Sequence, residues 1–496
     1  MNRRLRSICD LDVPTMREYV GLHELYDGVV QDLSPSGVKA GLTRLGDGDP
    51  EPDPHDDAQL RAYERGVATA LGALEDHRRN PLWHLSNLDV ACYDREYAPA
   101  EQRAEARRRH LAAWPDAVDA AIEALDRVPA PVAEALLPGV RGLAEGVDDP
   151  AALDAQRRFQ AHVEAAATSG DPDASLGADA LARLMGDPEA LPVDLGALAI
   201  QADGERDRLT ALLHEACSRV DASISPADLV AQMTADHAPD IDGVYAEACA
   251  LIEEATAFTV ERDLLRDLGG ECRVGPAPPS RRWAMAMMSG AAPYEDDAPS
   301  WYYISPPDPS WSAEDRESWL AVFNRTTLPA ITVHEVTPGH FAHARMIRLT
   351  TSDVRRALQP LAFVEGWAHY VEELFAEEGF RDGDPRYVAG MCIEALIRVT
   401  RLAVAIGVHT GSMSMEDAVI RFEQDAFLAG EAARSEAGRA TYDPTYGRYT
   451  WGKLAIRQVR DEARQRWGSG YSHRRFHDAL LALGSPALGL LGNALG

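Results

Sequence analysis

The sequence predicts a mostly α-helical protein that carries a small β-sheet insert. Long stretches rich in Ala, Glu and Arg place apolar residues at helical spacing, and Pro/Gly clusters separate these stretches. Between residues 283 and 305, aromatic and β-branched residues replace the helical pattern. The N-terminal stretches with the helical pattern are residues 100–125, 151–167, 199–218 and 242–268.

Two short strands are predicted within the insert. Residues 283–288 and 301–305 are the candidates, because aromatic and β-branched side chains dominate the second of them. Residues 274–280 have the sequence VGPAPPS, and their proline and glycine content predicts a turn-rich break before the strands.

The helical pattern returns at Glu314 and continues to about Leu483. We therefore divide the chain into a helical N-terminal portion, residues 1–270, and a C-terminal catalytic portion, residues 271–496, which contains the strands. The chain is long enough to bury one large core. We expect the two portions to form one continuous structural unit.

The charge balance argues against two classes of partner. There are 49 Lys and Arg residues against 79 Asp and Glu residues, which gives a formal net charge of −30. A surface this acidic repels phosphate backbones and anionic lipid head groups. We therefore expect neither a nucleic acid nor a membrane as a partner.

Cysteine usage and the start of the chain predict the cellular location. The six cysteines show no CxxC spacing, which argues against a disulfide framework and against a thiolate metal site. The first twenty residues lack the apolar stretch of a signal peptide, and no run of about 18 apolar residues occurs. These features predict a protein of the reducing cytoplasm.

The segment TVHEVTPGHFAH contains an irregular version of a zinc-peptidase motif. The regular motif is HExxH, which places two histidines one helical turn apart. Here Pro338 is the fourth residue after His334, and His340 is the sixth. On an ideal helix a spacing of six turns two side chains about 120° apart. An unbroken helix therefore cannot direct both histidines at one metal ion.

Pro338 and Gly339 suggest how the motif can still work. Proline has no N–H, and its ring clashes with the carbonyl four residues earlier, which here belongs to His334. Gly339 adds backbone freedom. We predict a local bulge that absorbs two residues and restores the one-turn relation between the histidines. The alternative is a plain helix break, with His340 only capping or packing.

A second segment, FVEGWAHYVEEL, supplies acidic and imidazole groups on one helical face. Glu365, His369 and Glu372 are spaced i, i+4 and i+7. Two imidazoles, one carboxylate and a water make an open catalytic zinc site. We predict His334, His340 and Glu365 as the metal ligands, with His369 or Glu372 orienting a ligand from behind. One Zn²⁺ per chain is expected, although the same donors suit Mn, Co or Fe(II).

These motifs resemble those of the bacterial domain-of-unknown-function family 885, which carries HExxPGH followed by EGW. That family resembles the thermostable carboxypeptidase (carboxypeptidase Taq) and neurolysin group of gluzincins. The resemblance implies a large helical gluzincin-like fold with a deep cleft and zinc at its base. The other segments that resemble family motifs are residues 21–24, 33–35, 302–303, 306–308, 323–325, 407–409, 449–453 and 476–481.

The resemblance also implies roles for individual residues. Glu335 is expected to polarise the attacking water and to shuttle its proton. Tyr449 is the first candidate for stabilising the oxyanion, and His409 is the second. Tyr303 is expected on an edge strand that pairs with an extended peptide. Arg398 and Arg401 are candidates for meeting a substrate carboxylate, as an exopeptidase requires.

The sequence thus predicts a zinc-dependent hydrolase, specifically a metallopeptidase that cleaves short peptides. Carboxypeptidase action follows only from the family resemblance. Two alternatives stay open: a zinc hydrolase of a non-peptide amide or ester, and a helical peptide-binding protein without turnover. The intact Glu335 favours an enzyme over the binding protein.

Overall fold

The computed structural model describes residues 1–266, 269–278, 281–282, 285–296, 298–428 and 430–496. The α-helices up to residue 261 are α1 (Arg3–Cys9), α2 (Val13–Glu18), α3 (His23–Tyr26), α4 (Pro35–Leu42), α5 (Pro54–Val67), α6 (Leu82–Leu88), α7 (Ala100–Ala124), α8 (Ala130–Gly142), α9 (Pro150–Ser169), α10 (Ala178–Gly186), α11 (Leu195–Val220), α12 (Pro226–Thr234) and α13 (Ile241–Glu261).

The α-helices after the strands are α14 (Ala313–Leu320), α15 (Leu328–Glu335), α16 (His340–Leu349), α17 (Asp353–Ala357), α18 (Leu361–Glu377), α19 (Arg386–His409), α20 (Met415–Asp425), α21 (Gly430–Tyr442), α22 (Arg448–Trp467) and α23 (His473–Leu481). Shorter helical turns are the π-helix Ala68–Ala73 and the 3₁₀ helices Asp76–Arg78, Ala91–Asp94, Ala321–Phe323, Gly468–Gly470 and Leu488–Leu495.

The predicted mostly helical fold with a small sheet is confirmed, and the four predicted N-terminal helices appear as α7, α9, α11 and α13. The Asp149 and Asp194 side chains cap α9 and α11 by accepting backbone N–H groups of the first turn. α13 ends at Glu261, short of residue 268, because Asp263 adopts a left-handed φ of 49°. In the described part of the chain, no helix has the length and apolarity needed to cross a membrane.

The strands form a three-stranded sheet in the order β1-β3-β2, with β1 (Cys272–Pro276) parallel and β2 (Ala286–Ser289) antiparallel to β3 (Ser300–Ile304). The two predicted strands correspond to β2 and β3; residues 283 and 284 lie outside the described residues. The turn-rich break predicted at residues 274–280 is wrong for residues 274–276, which belong to β1 and pair with β3; residues 279 and 280 lie outside the described residues.

Tyr303 does not lie on an edge strand, which corrects the prediction. Its strand, β3, is the central strand and pairs on both sides. Tyr302 and Ile304 are fully buried, and their face packs into an apolar cluster with Phe323 and Leu328. Tyr303 points to the opposite face and stacks on Trp301 with ring centroids 5.6 Å apart.

The largest apolar core draws on both portions of the chain. Its buried residues come from 181–265 and from 330–494, and they include Leu213 of α11, Trp367 of α18 and Leu396 of α19. A second core, within residues 88–174, holds α7, α8 and α9 together. The boundary near residue 270 therefore does not separate two cores.

A crossing of α18 and α22 brings two helical backbones into contact. A Cβ added to Gly452 would lie 1.8 Å from the carbonyl oxygen of Ala362, and one added to Gly366 would lie 2.5 Å from the Cα of Gly452. No other residue fits at either position without displacing a helix. The crossing brings the first turns of α22, which begin near Tyr449, against the turn of α18 between Ala362 and Gly366.

Candidate metal centre

The two halves of the HExxPGH segment lie on consecutive helices that continue one hydrogen-bond ladder. α15 ends at Glu335 and α16 begins at His340, with a cis Thr337–Pro338 peptide between them. The Gly339 N–H donates to Val333, and the Ala342 N–H donates to Val336, each at 3.2 Å. Each bond spans six residues where a helix spans four. Two residues are therefore looped out, and the helical relation between the histidines is restored.

Gly339 is required by close backbone contact. A Cβ at this position would lie 1.8 Å from the carbonyl oxygen of His334 and 2.5 Å from that of Val333. The loop is also tied to the second motif, because the Trp367 indole N–H donates to the carbonyl of Pro338 at 2.9 Å. The PGH and EGW segments thus fix each other's position.

The structure brings His334, His340 and Glu365 together. One ligand atom of each lies within 4.8 Å of the others. The Nε2 atoms of His334 and His340 are 3.5 and 3.4 Å from Glu365 Oε2. Ligands about 2.0–2.1 Å from a tetrahedral zinc are roughly 3.3 Å apart. The two distances to Glu365 therefore match the separation of ligands on one such ion, and all three groups lie within reach of it.

The cluster is enclosed on one side and open on the other. The side chain of His334 is 5% exposed, whereas those of His340 and Glu365 are 16% and 20% exposed. Glu335, the residue after His334, is buried, and its Oε2 has no hydrogen-bond partner among the described residues. A buried carboxylate oxygen without a partner is the group that a water-activating base needs.

Glu372 orients His334 from behind. The His334 Nδ1–H donates to Glu372 Oε1 at 2.6 Å, which leaves the Nε2 lone pair directed at Glu365 and His340. The other carboxylate oxygen of Glu372 accepts a hydrogen bond from Arg398 at 3.1 Å and lies 3.4 Å from His369 Nδ1. His369 is thus one contact further from the cluster than Glu372.

The electrostatics of the cluster favour a cation. Burial and the Arg398 charge work against protonation of His334, but hydrogen bonds to Glu365 and Glu372 outweigh them and raise its pKa to about 9. Burial alone would raise the pKa of Glu365, yet the charge of His340 and the hydrogen bond to His334 lower this pKa well below the ordinary range. The field that holds a proton here also suits a metal ion.

Tyr449 lies beside the cluster. Its ring centroid is 6.3 Å from that of His334, and the two planes are inclined by 24°. The guanidinium groups of Arg398 and Arg401 lie over the tyrosine ring, 5.9 and 5.3 Å from its centroid. Its hydroxyl has no hydrogen bond to any described residue, and the side chain is partly exposed. The hydroxyl is thus available to a bound molecule.

Two further predicted residues are placed elsewhere. Arg398 is buried and paired with Glu372 and with Glu394, so it does not face a substrate carboxylate, which corrects that prediction. His409 lies eleven residues after Arg398 on α19, which at 1.5 Å per residue places it about 16 Å further along the helix. Its Nε2–H donates to the carbonyl of Ala440, so His409 is a buried packing residue and not an oxyanion donor.

Sequence reasoning missed the contacts of Trp367 and Gly452. Trp367 donates to the carbonyl of Pro338, and Gly452 allows α22, which carries Tyr449, to pack closely against α18. A signal for Gly452 was present, because glycine inside a helical pattern is unfavourable and implies close packing. Nothing in the sequence indicates that Trp367 donates to Pro338.

The comparisons with known proteins identify a family and a fold. The family described as "Bacterial protein of unknown function (DUF885)" matches residues 14–495. No curated protein matches the sequence. A solved structure described as "a putative lipoprotein of unknown function from Shewanella oneidensis" superposes with a TM-score of 0.77 at 18% identity, covering 98% of this chain and 97% of that one.

A second solved structure is "the putative lipoprotein from Colwellia psychrerythraea", with a TM-score of 0.77 at 16% identity, covering 99% of this chain and 97% of that one. At these identities the two structures establish the shared fold.

The predicted cytoplasmic location is wrong in the light of these neighbours. Both are described as putative lipoproteins, a description that points to a membrane-anchored or secreted protein and not to a cytoplasmic one. The prediction rested partly on cysteine spacing. The six cysteines are free thiols, four of them buried. Buried thiols behave as small apolar groups, so they do not report on the compartment.

Proposed function

We propose that this chain, which belongs to the DUF885 family of bacterial proteins, is a zinc-dependent hydrolase and specifically a metallopeptidase. One observation carries the proposal. His334, His340 and Glu365 converge within 4.8 Å of one another, and Glu335, the residue after His334, carries a buried carboxylate oxygen without a partner among the described residues. Two imidazoles and one carboxylate leave a fourth position open, as a catalytic site requires.

The residues of the chain have distinct parts in the proposed reaction. When bound, zinc acidifies water and polarises the scissile carbonyl. Glu335 accepts a proton from the attacking water and passes it to the leaving nitrogen. Glu372 holds His334 in the tautomer that presents Nε2. The free hydroxyl of Tyr449 donates to the oxyanion that forms from the scissile carbonyl oxygen.

A short peptide is the proposed substrate, and β2 is the strand that would bind it. In the described part of the chain β2 pairs only with β3, so its other edge carries unpaired backbone groups. An extended peptide binds such an edge as an added strand. Gly290, directly after β2, lies against Ala344 of α16, the helix that begins with His340. The edge strand thus takes the role first expected of Tyr303.

The mostly helical fold and the HExxPGH and EGW motifs support a gluzincin-like relationship. This support is analogy at the level of fold, and it does not distinguish a peptide from another amide or an ester. A zinc hydrolase of a non-peptide amide or ester is therefore the second candidate, because the same four residues serve it equally.

Metal content tests the site. Protein purified without chelator or histidine tag is analysed by elemental mass spectrometry as wild type, His340→Ala and His214→Ala. We expect about one zinc per wild-type chain, none in His340→Ala, and the full amount in His214→Ala, because His214 is exposed on α11. A wild-type chain that takes up no metal even when zinc is offered would overturn the proposal.

A substrate panel tests the reaction. Short peptides, small amides and esters are offered to the zinc-loaded wild type and to Glu335→Gln, which keeps the shape of the side chain. We expect peptide cleavage by the wild type and a loss of at least about 10³-fold in Glu335→Gln with zinc retained. Cleavage of esters or small amides alone would support the second candidate. Tight peptide binding without cleavage would support a binding protein.

A further inference from the structure

We infer that Arg398 is a positioning residue that couples the proposed metal ligand His334 to Tyr449. The inference rests on the proposed function. Arg398 lies on α19, is 7% exposed, and contacts groups that lead to both residues. It thus joins the two sides of the site, although it neither touches the cluster directly nor faces a substrate.

One side of Arg398 holds the carboxylate behind His334. Arg398 Nη1–H donates to Glu372 Oε2 at 3.1 Å, while Glu372 Oε1 accepts from His334 Nδ1 at 2.6 Å. Each carboxylate oxygen is therefore held from a different direction by a charged or polarised donor. A carboxylate held in this way cannot rotate, and the plane of the His334 ring is fixed with it.

The other side of Arg398 faces Tyr449. The guanidinium carbon is 5.9 Å from the tyrosine ring centroid, within the range of a cation–π contact. The Tyr449 ring in turn stacks near the His334 ring at 6.3 Å. Arg398, Glu372, His334 and Tyr449 therefore form a closed circuit of four side chains from four different helices. A shift of Arg398 moves both the ligand and the oxyanion donor.

The anchoring of Arg398 indicates a fixed geometry. Its Nη2 lies 3.4 Å from Glu394, one turn earlier on the same helix. The two terminal nitrogens of the guanidinium therefore pair with two different carboxylates, those of Glu372 and Glu394. A lysine carries the same charge but lacks the planar fork needed to meet Glu372 and Glu394 together.

Arg401 provides a matched control. It also covers the Tyr449 ring, at 5.3 Å, but its guanidinium is bound to Glu436 by two hydrogen bonds of 2.7 and 2.6 Å. It makes no contact with Glu372. Removing Arg401 takes away a cation from the same ring without releasing His334.

The experiment compares Arg398→Met, Arg398→Lys and Arg401→Met in the full chain. Zinc affinity is measured by chelator competition, and ligand geometry by the visible spectrum of the cobalt-substituted protein. We expect Arg398→Met to lose about 10–100-fold in zinc affinity and to change the cobalt spectrum. Arg398→Lys should recover part of the affinity. Arg401→Met should match the wild type in both measurements.

A double variant separates positioning from general loosening. If Arg398 acts through Glu372, the variant Arg398→Met/Glu372→Gln should lose no more zinc affinity than the weaker-binding single variant. Circular dichroism checks that each variant is folded. Additive losses, or equal losses in Arg401→Met, would overturn the inference.

The outcome for the wild type distinguishes this inference from the proposed function. Normal zinc and cobalt binding by the wild type, together with unchanged affinity and spectrum in Arg398→Met, would overturn the inference alone. A wild-type chain that binds neither metal would overturn the proposed function, and the inference would fall with it.

Discussion

Gly339 occupies a position where a single methyl group should disable the site. In Gly339→Ala the new Cβ would lie 1.8 Å from the His334 carbonyl oxygen, so the loop and His334 must move apart. We expect the variant to fold but to bind zinc at least tenfold more weakly, as chelator competition would measure. Gly204→Ala is the control, because its Cβ meets open space on α11 and should stabilise by about 1 kcal/mol. Wild-type affinity in Gly339→Ala would contradict the argument.

Tyr449 can be tested by removing only its hydroxyl. We expect Tyr449→Phe to lower kcat by about 10²–10³-fold, with zinc content unchanged, because a single oxyanion donor contributes about that much. Tyr446→Phe is matched to it: Tyr446 is fully buried in apolar surroundings and should leave kcat intact. Steady-state kinetics and metal content give the answer, and equal effects of both substitutions would refute the assignment.

At the scale of residues, spacing predicted which side chains meet but not all of their partners. The proline at the position of a second histidine was enough to predict the two-residue bulge. Arg398 was assigned to a substrate carboxylate because an exopeptidase requires such a cation. Arg398 instead pairs with Glu372 and Glu394. The pairing with Glu372 depends on how α18 packs against α19, and a local sequence pattern does not predict that packing.

The helices around Tyr449 bear on the choice between exopeptidase and other modes of cleavage. Arg398, Arg401 and Arg439, which surround Tyr442–Tyr449, are each paired with an acidic residue. None of these three is left to bind a free carboxylate. We expect a peptide with an amidated C-terminus to be cleaved within about threefold of the free acid. If kcat/KM for the amidated peptide is a hundredfold lower than for the free acid, the carboxypeptidase prediction would be supported again.

A buried acid beside the C-terminal segment should make stability depend on pH. Glu189 accepts the backbone N–H of Leu488 at 2.8 Å, and burial raises its pKa to about 7. The folded chain therefore keeps a proton that the unfolded chain loses near pH 4.5. The ionisation of Glu189 should therefore lower the free energy of unfolding as pH rises from about 5 to 7. Glu189→Gln cannot ionise, so its Tm relative to wild type should increase over that range.

Differential scanning calorimetry at pH 5 and pH 7.5 measures this difference. Glu215→Gln, exposed on α11, is the control and should shift Tm equally at both pH values. A Tm difference for Glu189→Gln that does not change with pH would show that ionisation of Glu189 is not coupled to folding.

At the scale of elements, periodicity was a sufficient guide for long helices and a poor one for the sheet. α7 and α9 match their predicted ranges because alternating polar and apolar faces repeat over many turns. β1 was missed because its five residues gain strand geometry only from pairing with β3, which follows β2 in the sequence. The local sequence around Tyr303 likewise does not show whether its strand lies at the centre or at the edge of the sheet.

For the whole molecule, the sequence predicted one continuous structural unit. The main core takes residues from both sides of residue 270. Size and composition suffice to predict such a core. The location was a different matter. An acidic composition and free thiols are compatible with several compartments, so the cytoplasmic prediction had no physical basis in the fold itself.

The C-terminal segment holds distant parts of the molecule together. Its 3₁₀ helix, Leu488–Leu495, places Leu491 in the main core, and Gln59 of α5 bonds to the backbone of Ser485 and Ala487 just before it. Leu491→Ala should cost about 2–5 kcal/mol, because truncating a buried leucine leaves a cavity.

Leu349→Ala removes the same atoms from a residue that is 60% exposed, and we expect a change within about 0.5 kcal/mol. Urea unfolding followed by circular dichroism measures both variants. If the C-terminal helix is part of the single cooperative unit, Leu491→Ala lowers the one transition of the whole chain. A separate early transition that leaves the main one unchanged would show that the segment unfolds by itself, and that Gln59 does not couple it to the N-terminal helices.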